Sequence, residues 1–280
     1  MKTAPDQILR PKTPQEAGSL LEKMGEDVGL LWLGARAEAP ETWARASMID
    51  ISGLGLDYIT VADDGVAIGS ATPIQKLVED ESLEAAFGGL VNTAARRLAH
   101  YGLRNLASIG GAMNSRFGPP ELFLALLALG SQAALVGASE TTVPLAEMWS
   151  GEEIHGLLKE IRLPRTPAGD KGWGLEWLAR SPMDQALAAA CAVVEVKGGK
   201  IHSPRLAVAS LGWAPSRVDQ AETILDNASA AGWTPDDLIQ AVQLAISPAP
   251  EFRASSEYQR DMMARLAGRA VQAALKKAGA

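Results

Sequence analysis

The sequence predicts an α+β chain in two parts, and three observations carry that reading. Strand-like and helix-like patterns mix over the first 165 or so residues. A break rich in Gly, Pro and charge, "RTPAGDKGWG", starts at Arg165. Beyond it comes a strand pair around Gly198-Gly199, followed by a mainly helical stretch to the C-terminus. The boundaries follow as 1–167, with subdivisions at 1–52 and 53–167, and 173–280 for the smaller α+β part.

The elements can be justified in order. "TPQEAGSLLEKMG" carries the signals of a capped helix: Thr13 at the cap, Pro14 in the first turn, Glu16 three residues after the cap, Gly25 at the stop. "VGLLWLGA" is a buried strand ending at Gly34, and "SMIDIS" a short one. "LDYITVADDGVAIGSAT" holds a hairpin turned at Asp64-Gly65. "PIQKLVED" and "LEAAFGGLVNTAARRLAHYG" have helical spacing, the second stopped by Gly102. "RNLASIGGAMNSRFGPPELFLALLALGS" reads as a β-type start, a Gly-Gly pair, a Pro-broken polar loop and an apolar helix. Strands follow in "QAALVG", "TTVPLAEMW" and "HGLLKEIRLP". "MDQALAAACAVVEV" is the start of a helix or a strand. "RVDQAETILDNA", "TPDDLIQAVQLAI" and the segment from Ser255 onward are helices.

Composition excludes several functions. Hydrophobic residues make up 47% and charged residues 21%, as in ordinary globular proteins. A formal net charge of −7 argues against an electrostatic grip on nucleic acid. No run of about 18 apolar residues suggests a membrane span, and the N-terminal stretch has no apolar signal-peptide core, so a cytoplasmic protein is expected. The one cysteine, Cys191, lies in a small-residue run and reads as an inert core thiol. His100, His155 and His202 have no metal-ligand spacing, so no metal site is expected. No nucleophile, triad or paired acid–base constellation stands out, so no catalytic residue is assigned.

The Gly-Gly segment is the chemically suggestive one. Gly110 and Gly111 would let the backbone approach a ligand closely, with bare N–H groups forming an anion-binding nest. Ser108 and Ser115 add hydroxyls, and Glu121 at the next helix start is an acceptor for ribose hydroxyls. Together they suit a pyrophosphate-bearing cofactor, although a Gly-Gly turn before a helix is more often only a turn. Of the seven tryptophans, Trp32, Trp149, Trp173, Trp213 and Trp233 read as plugs of cores and seams. Arg96, Arg97 and Arg104 read as solvated helix charges, with phosphate steering or subunit contact as the alternative.

The stretch "LRNLASIGGAMNSRFGPPELFLALLALGSQAAL" resembles the second flavin loop of the FAD-binding subunit of molybdenum hydroxylases. This is the family of the carbon monoxide dehydrogenase medium subunit and the xanthine dehydrogenase flavin domain. The resemblance runs on through "SMIDISGLGLDYITVADDGVAIGSAT", "EIRLP", "WLARSPMDQALAAACAVVEV" and "PEFRASSEYQRDMMARLAGRAV". It implies a two-subdomain FAD-binding domain of the PCMH/VAO-like type, then a small α+β C-terminal domain of the carbon monoxide dehydrogenase flavoprotein type. It further implies an oxidoreductase subunit holding FAD. A partner iron–sulfur small subunit would carry [2Fe–2S] clusters, and a partner large subunit would carry the molybdenum cofactor. With one cysteine, this chain cannot ligate such a cluster alone.

The resemblance places cofactor contacts at Gly34, Ala35, Arg36 and Ala37 in the first flavin loop. It places others at Ser108, Ile109, Gly110, Gly111, Ala112 and Ser115 in the second, with Glu121, Leu158 and Trp177 beyond. The chain departs from the family pattern at several of these. The second glycine of the first loop is Ala35, and the polar position after it is Arg36. The Asn after Gly-Gly is Ala112, the family Asp is Glu121, and a Lys near the flavin ring is replaced by Trp177. Trp177 either stacks on the ring or fills its place. Three functions therefore stay open: a flavin electron-transfer subunit, a flavin-less scaffold of the same complex, and a free-standing flavin oxidoreductase.

Overall fold

The computed structural model describes residues 5–31, 47–98, 100–115, 120–149, 156–165, 171–181 and 184–279. Contacts divide the chain into two compact units that are not consecutive in sequence. The front unit is Met1–Leu83, Leu98–Gly118 and Ser131–Arg165; the rear unit is Glu84–Arg97, Pro119–Gly130 and Thr166–Ala280. The rear unit thus takes in two segments that precede the break the sequence marks near 167.

The front unit begins with β1 (Gln7–Leu9), α1 (Pro14–Met24), β2 (Val28–Leu31) and β3 (Ser47–Asp50). The three strands form a parallel sheet in the order β1-β3-β2. Helix α1 starts as its sequence dictates: the Thr13 hydroxyl accepts from the Glu16 amide at 3.1 Å, and Pro14 occupies the first turn. It stops at Gly25, whose φ of +53° suits glycine.

Strands β4 (Ile59–Val61) and β5 (Gly65–Gly69) form the expected hairpin, closed by the Ala62 amide on the Gly65 carbonyl at 2.8 Å. With β6 (Gln132–Val136), β7 (Glu140–Pro144) and β8 (Leu157–Pro164) they make an antiparallel sheet ordered β4-β5-β8-β6-β7. "TTVPLAEMW" is only half a strand, because a 3-10 turn takes over at Leu145–Trp149. A bulge shifts the β6–β8 register at Lys159 and frees its carbonyl to accept from the Ser70 amide at 2.9 Å.

The helical middle is broken into more pieces than the separate helices that the spacing of "PIQKLVED", "LEAAFGGLVNTAARRLAHYG" and the later apolar run suggests. It splits into α2 (Ile74–Glu79), α3 (Glu81–Phe87), α4 (Leu90–Ala95), α5 (Tyr101–Leu106), α6 (Ile109–Ser115) and α7 (Pro120–Ala128). Gly88 and Gly89, at φ +58° and +78°, end α3 and turn the chain into α4. Gly102 sits inside α5 and stops nothing. The supposed β-type start at Arg104 is the last turn of α5, and only Ser108 keeps a strand-like bridge, to Pro73.

In the rear unit β9 (Lys171–Leu178), β10 (Ala188–Lys197), β11 (Lys200–Ser210) and β12 (Trp213–Arg217) form an antiparallel sheet ordered β12-β11-β10-β9. The ambiguous "ALAAACAVVEV" is strand β10, and Gly198-Gly199 (φ +56° and +74°) turn it into β11. Helices α8 (Asp219–Leu225), α9 (Asp236–Ala245) and α10 (Ser256–Lys277) follow. Ala188, Ala190 and Ala192 on β10 join Ala264, Ala267, Ala270 and Ala274 of α10 in one apolar core, small side chains letting helix and sheet approach. Every residue of α7 is buried, and it packs on β10, β11 and β12. That burial explains why a segment from before residue 130 belongs to the rear unit. Cys191 is fully buried, and burial pushes its thiol pKa up, so it is not a reactive thiolate.

Candidate cofactor site

In the front unit, the segment Ala107–Ala112 is sewn to the end of the β4–β5 hairpin. The Ile74 amide donates to the Ala107 carbonyl at 2.8 Å, the Ile109 amide to Thr72 O at 2.9 Å, and the Gly110 amide to Ser70 O at 2.8 Å. The Gly111 amide is capped by the Ser108 Oγ at 3.1 Å, and the Ala112 amide by the Ser108 carbonyl at 3.0 Å. Ser108, Ile109, Gly110, Gly111 and Ala112 are all buried.

This overturns one expectation. Gly110 and Gly111 are the second and third residues of α6, and their amides are spent inside the chain. They form no nest of bare N–H groups. The helix forms here because residues 70–72 and the Ser108 side chain satisfy its first donors, a pairing distant in sequence. Ser115 is the last residue of α6. Leu158 lies on β8, opposite Leu135, 5% exposed in the sheet core. Gly34, Ala35, Arg36 and Ala37 lie outside the described residues.

Ser70, next to this segment, carries an unmet polar group. Its amide and carbonyl are both used, yet its hydroxyl, fully buried, has no hydrogen-bond partner. Ser131 and Ser210 also carry buried unpartnered hydroxyls, but only Ser70 is bonded directly to the Gly-Gly segment. An orphaned buried hydroxyl costs about 1–3 kcal/mol, which a ligand oxygen would recover. The sequence offers one faint signal for it, the small polar run "GSAT" at a strand end.

In the rear unit the structure brings Glu121 and Trp177 together through a residue not assigned to the site. Arg97 Nε donates to Glu121 Oε1 at 3.1 Å, with the Arg97 side chain 14% and Glu121 3% exposed. The same guanidinium lies 4.4 Å from the Trp177 ring centroid. Glu121 is the second residue of α7, where a carboxylate complements the helix dipole. Burial nevertheless raises its pKa, opposed by a backbone hydrogen bond and by Arg97. Arg97 is therefore no solvated helix charge. Trp177, on edge strand β9, remains 37% exposed. Trp173, two residues earlier, reads differently: its Nε1 donates to the Gly88 carbonyl at 2.8 Å and Lys277 Nζ lies over its ring at 2.7 Å.

Among the described residues there is no group of three or more His, Cys, Asp or Glu able to hold a metal ion, and no helix is long and apolar enough to cross a membrane.

The chain belongs to the family described as "FAD binding domain in molybdopterin dehydrogenase", whose model matches residues 4–166, and the "CO dehydrogenase flavoprotein C-terminal domain" matches residues 174–274. It is similar to the carbon monoxide dehydrogenase medium chain of Afipia carboxidovorans, 26% identical over 283 residues and covering 96% of each chain. It is 25% identical over 276 residues to the 6-hydroxypseudooxynicotine dehydrogenase complex subunit alpha of Paenarthrobacter nicotinovorans, covering 94% of this chain and 92% of that one. Among solved structures, reconstituted CO dehydrogenase from Oligotropha carboxidovorans superposes with a TM-score of 0.87 at 25% identity, over 99% of both chains.

Proposed function

We propose that this chain is the FAD-binding electron-transfer subunit of a molybdenum hydroxylase-type dehydrogenase, taking electrons from a [2Fe–2S] partner subunit and passing them to an external acceptor. The observation that carries the reading is the match of residues 4–166 to the FAD-binding family. The proposed partners are an iron–sulfur small subunit and a molybdenum-cofactor large subunit, in a cytoplasmic complex. The lone buried Cys191 supports placing the clusters on another chain. The domains are proposed as 1–167, with subdomains 1–52 and 53–167, and 173–280.

FAD, when bound, supplies the redox chemistry; the protein supplies position and electrostatics. The proposed contacts are Gly34, Ala35, Arg36 and Ala37, then Ser108 to Ala112 and Ser115, with Glu121, Leu158 and Trp177. The Ser70 hydroxyl joins them as a hydrogen-bonding group for the cofactor. Because the amides of residues 109–111 are spent internally, side-chain hydroxyls carry the polar role in that segment.

A second reading is favoured by those same spent amides and by the pairing of Glu121 with Arg97: a scaffold subunit that keeps the fold and has lost the flavin. The two are separated by the visible absorbance of protein prepared with saturating FAD and desalted. One flavin per chain is the outcome expected of an electron-transfer subunit, and its absence leaves the scaffold.

A further inference from the structure

We propose that Lys277 is an acyl-acceptor site: its side-chain amine is the nucleophile that takes an activated acyl group from a small acyl phosphate or an acyl thioester. The site lies wholly in the rear unit and is independent of the flavin role proposed above.

Three observations converge on it. Lys277 is the last residue of α10, and its Nζ lies 2.7 Å from the centroid of the Trp173 ring. That ring is itself fixed, because Trp173 Nε1 donates to the Gly88 carbonyl at 2.8 Å. The indole face therefore replaces part of the water shell of the amine. Second, among the described residues no carboxylate pairs with Lys277. Lys76, Lys159 and Lys197, by contrast, are held by Asp57, Glu140 and Glu195 at 3.0, 3.0 and 2.7 Å. A carboxylate keeps an ammonium charged and unreactive, whereas an amine set against an apolar surface without one gives up its proton more readily. Third, Lys277 is exposed at the helix end, so a donor can reach it.

Magnitudes decide the sign. Burial lowers the Lys277 pKa from 10.5 to about 8, a change of about 300-fold in the proton equilibrium. The indole face and the C-terminus of α10 both favour the charged form, each by only about two- to fivefold. The one other titratable group acting on the amine, Cys191 of β10, is fully buried and stays a neutral thiol. In the step, neutral Nζ attacks the acyl carbon and a C–N bond forms. The C–O or C–S bond of the donor breaks, phosphate or thiolate leaves with the electron pair, and the extra amine proton passes to water. The product is a neutral, planar amide that can lie on the indole face in place of the cation.

The full chain is treated with acetyl phosphate in one arm and acetyl-coenzyme A in the other, and the rate at each lysine is read by peptide mass spectrometry. Lys277 is expected to react about tenfold faster than its neighbour Lys276 near neutral pH, with a rate that levels off above about pH 8. Trp173→Ala is expected to bring Lys277 down to the Lys276 rate, and Trp173→Gln takes its place if circular dichroism shows the alanine variant misfolded. Lys277→Arg removes the fast site and leaves the other rates unchanged. Preference for Lys277 in one arm alone assigns the donor to that class. Equal rates at Lys276 and Lys277 in both arms, or a preference that survives the loss of the Trp173 ring, overturn the proposal.

Discussion

Gly174 on β9 lies directly under Ala270 of α10: a Cβ built on Gly174 would sit 2.0 Å from the Ala270 carbonyl oxygen. Gly172 meets the Ala274 carbonyl in the same way, at 1.8 Å. The helix therefore rests on bare strand backbone, and neither side can yield locally. Gly174→Ala is expected to destabilise the rear unit by about 3 kcal/mol, the upper end of typical overpacking costs, lowering Tm by several degrees. Gly232→Ala is the control, because its Cβ would meet only Ser229 Oγ at 3.7 Å. Thermal unfolding followed by circular dichroism reads both.

Helix α7 ends on a shared device. Arg205 Nη1 donates to the Leu129 carbonyl at 2.7 Å, and Gly130, at φ +72°, turns the chain beneath the same guanidinium. Arg205→Ala leaves a helix-end carbonyl without its donor and should cost about 1–3 kcal/mol. Gly130→Ala adds left-handed strain of about 1–2 kcal/mol and drives a Cβ to 2.4 Å from Arg205 Nη1. Its cost should fall in the Arg205→Ala background, where the clash is gone. Additive losses in the double-mutant cycle would contradict the coupling.

On the front sheet, Tyr58 donates its phenol hydrogen to Glu160 Oε2, while Arg162 Nε donates to Glu160 Oε1 at 2.6 Å. Burial, then the hydrogen bond and charge of Glu160, raise the Tyr58 pKa well above the ordinary phenol value of 10.0. Alkaline difference absorbance should show a late tyrosine step that Tyr58→Phe removes. The same variant should lose about 1–3 kcal/mol of stability, as for hydrogen bonds to charged acceptors.

The legible parts of the chain were those in which one local pattern decides the outcome. The α1 caps at Thr13, Pro14 and Gly25, and the hairpins at Asp64-Gly65 and Gly198-Gly199, depend on a few neighbouring residues and stand where their sequence puts them. The Gly110-Gly111 segment shows why local reading runs out. Whether those amides face a ligand depends on Ser70 and Thr72, nearly forty residues earlier, and nothing near Gly110 signals that pairing. Arg97 was open to the same error: its partners Glu121 and Trp177 are remote in sequence, so it reads as one charge in a basic helix end.

Glu121 sets a pH dependence with a definite sign. Its folded pKa is raised above the ordinary 4.5, mainly by burial, so the folded state holds the proton more tightly than the unfolded chain does. Its contribution to stability is fully present below pH 4.5. It declines as pH rises from 4.5 toward the raised value and is flat above that. Measured as the difference in unfolding free energy between wild type and Glu121→Gln, this contribution should shrink with rising pH across that window. A difference that grows with pH would mean that the pairing with Arg97 outweighs burial.

Ser70 separates cofactor binding from fold maintenance. Its hydroxyl is buried without a partner, so removing it deletes an unmet polar group and leaves only a small void. In FAD-free protein Ser70→Ala should be neutral or slightly stabilising, because no hydrogen bond is lost. Under the proposed function the hydroxyl bonds the cofactor, so the same variant should lose part of the Tm increase that saturating FAD gives wild type. A hydrogen bond worth about 1 kcal/mol is roughly a fivefold loss of affinity. An equal Tm increase in wild type and variant would remove Ser70 from the site and leave its unmet hydroxyl a feature of the fold alone.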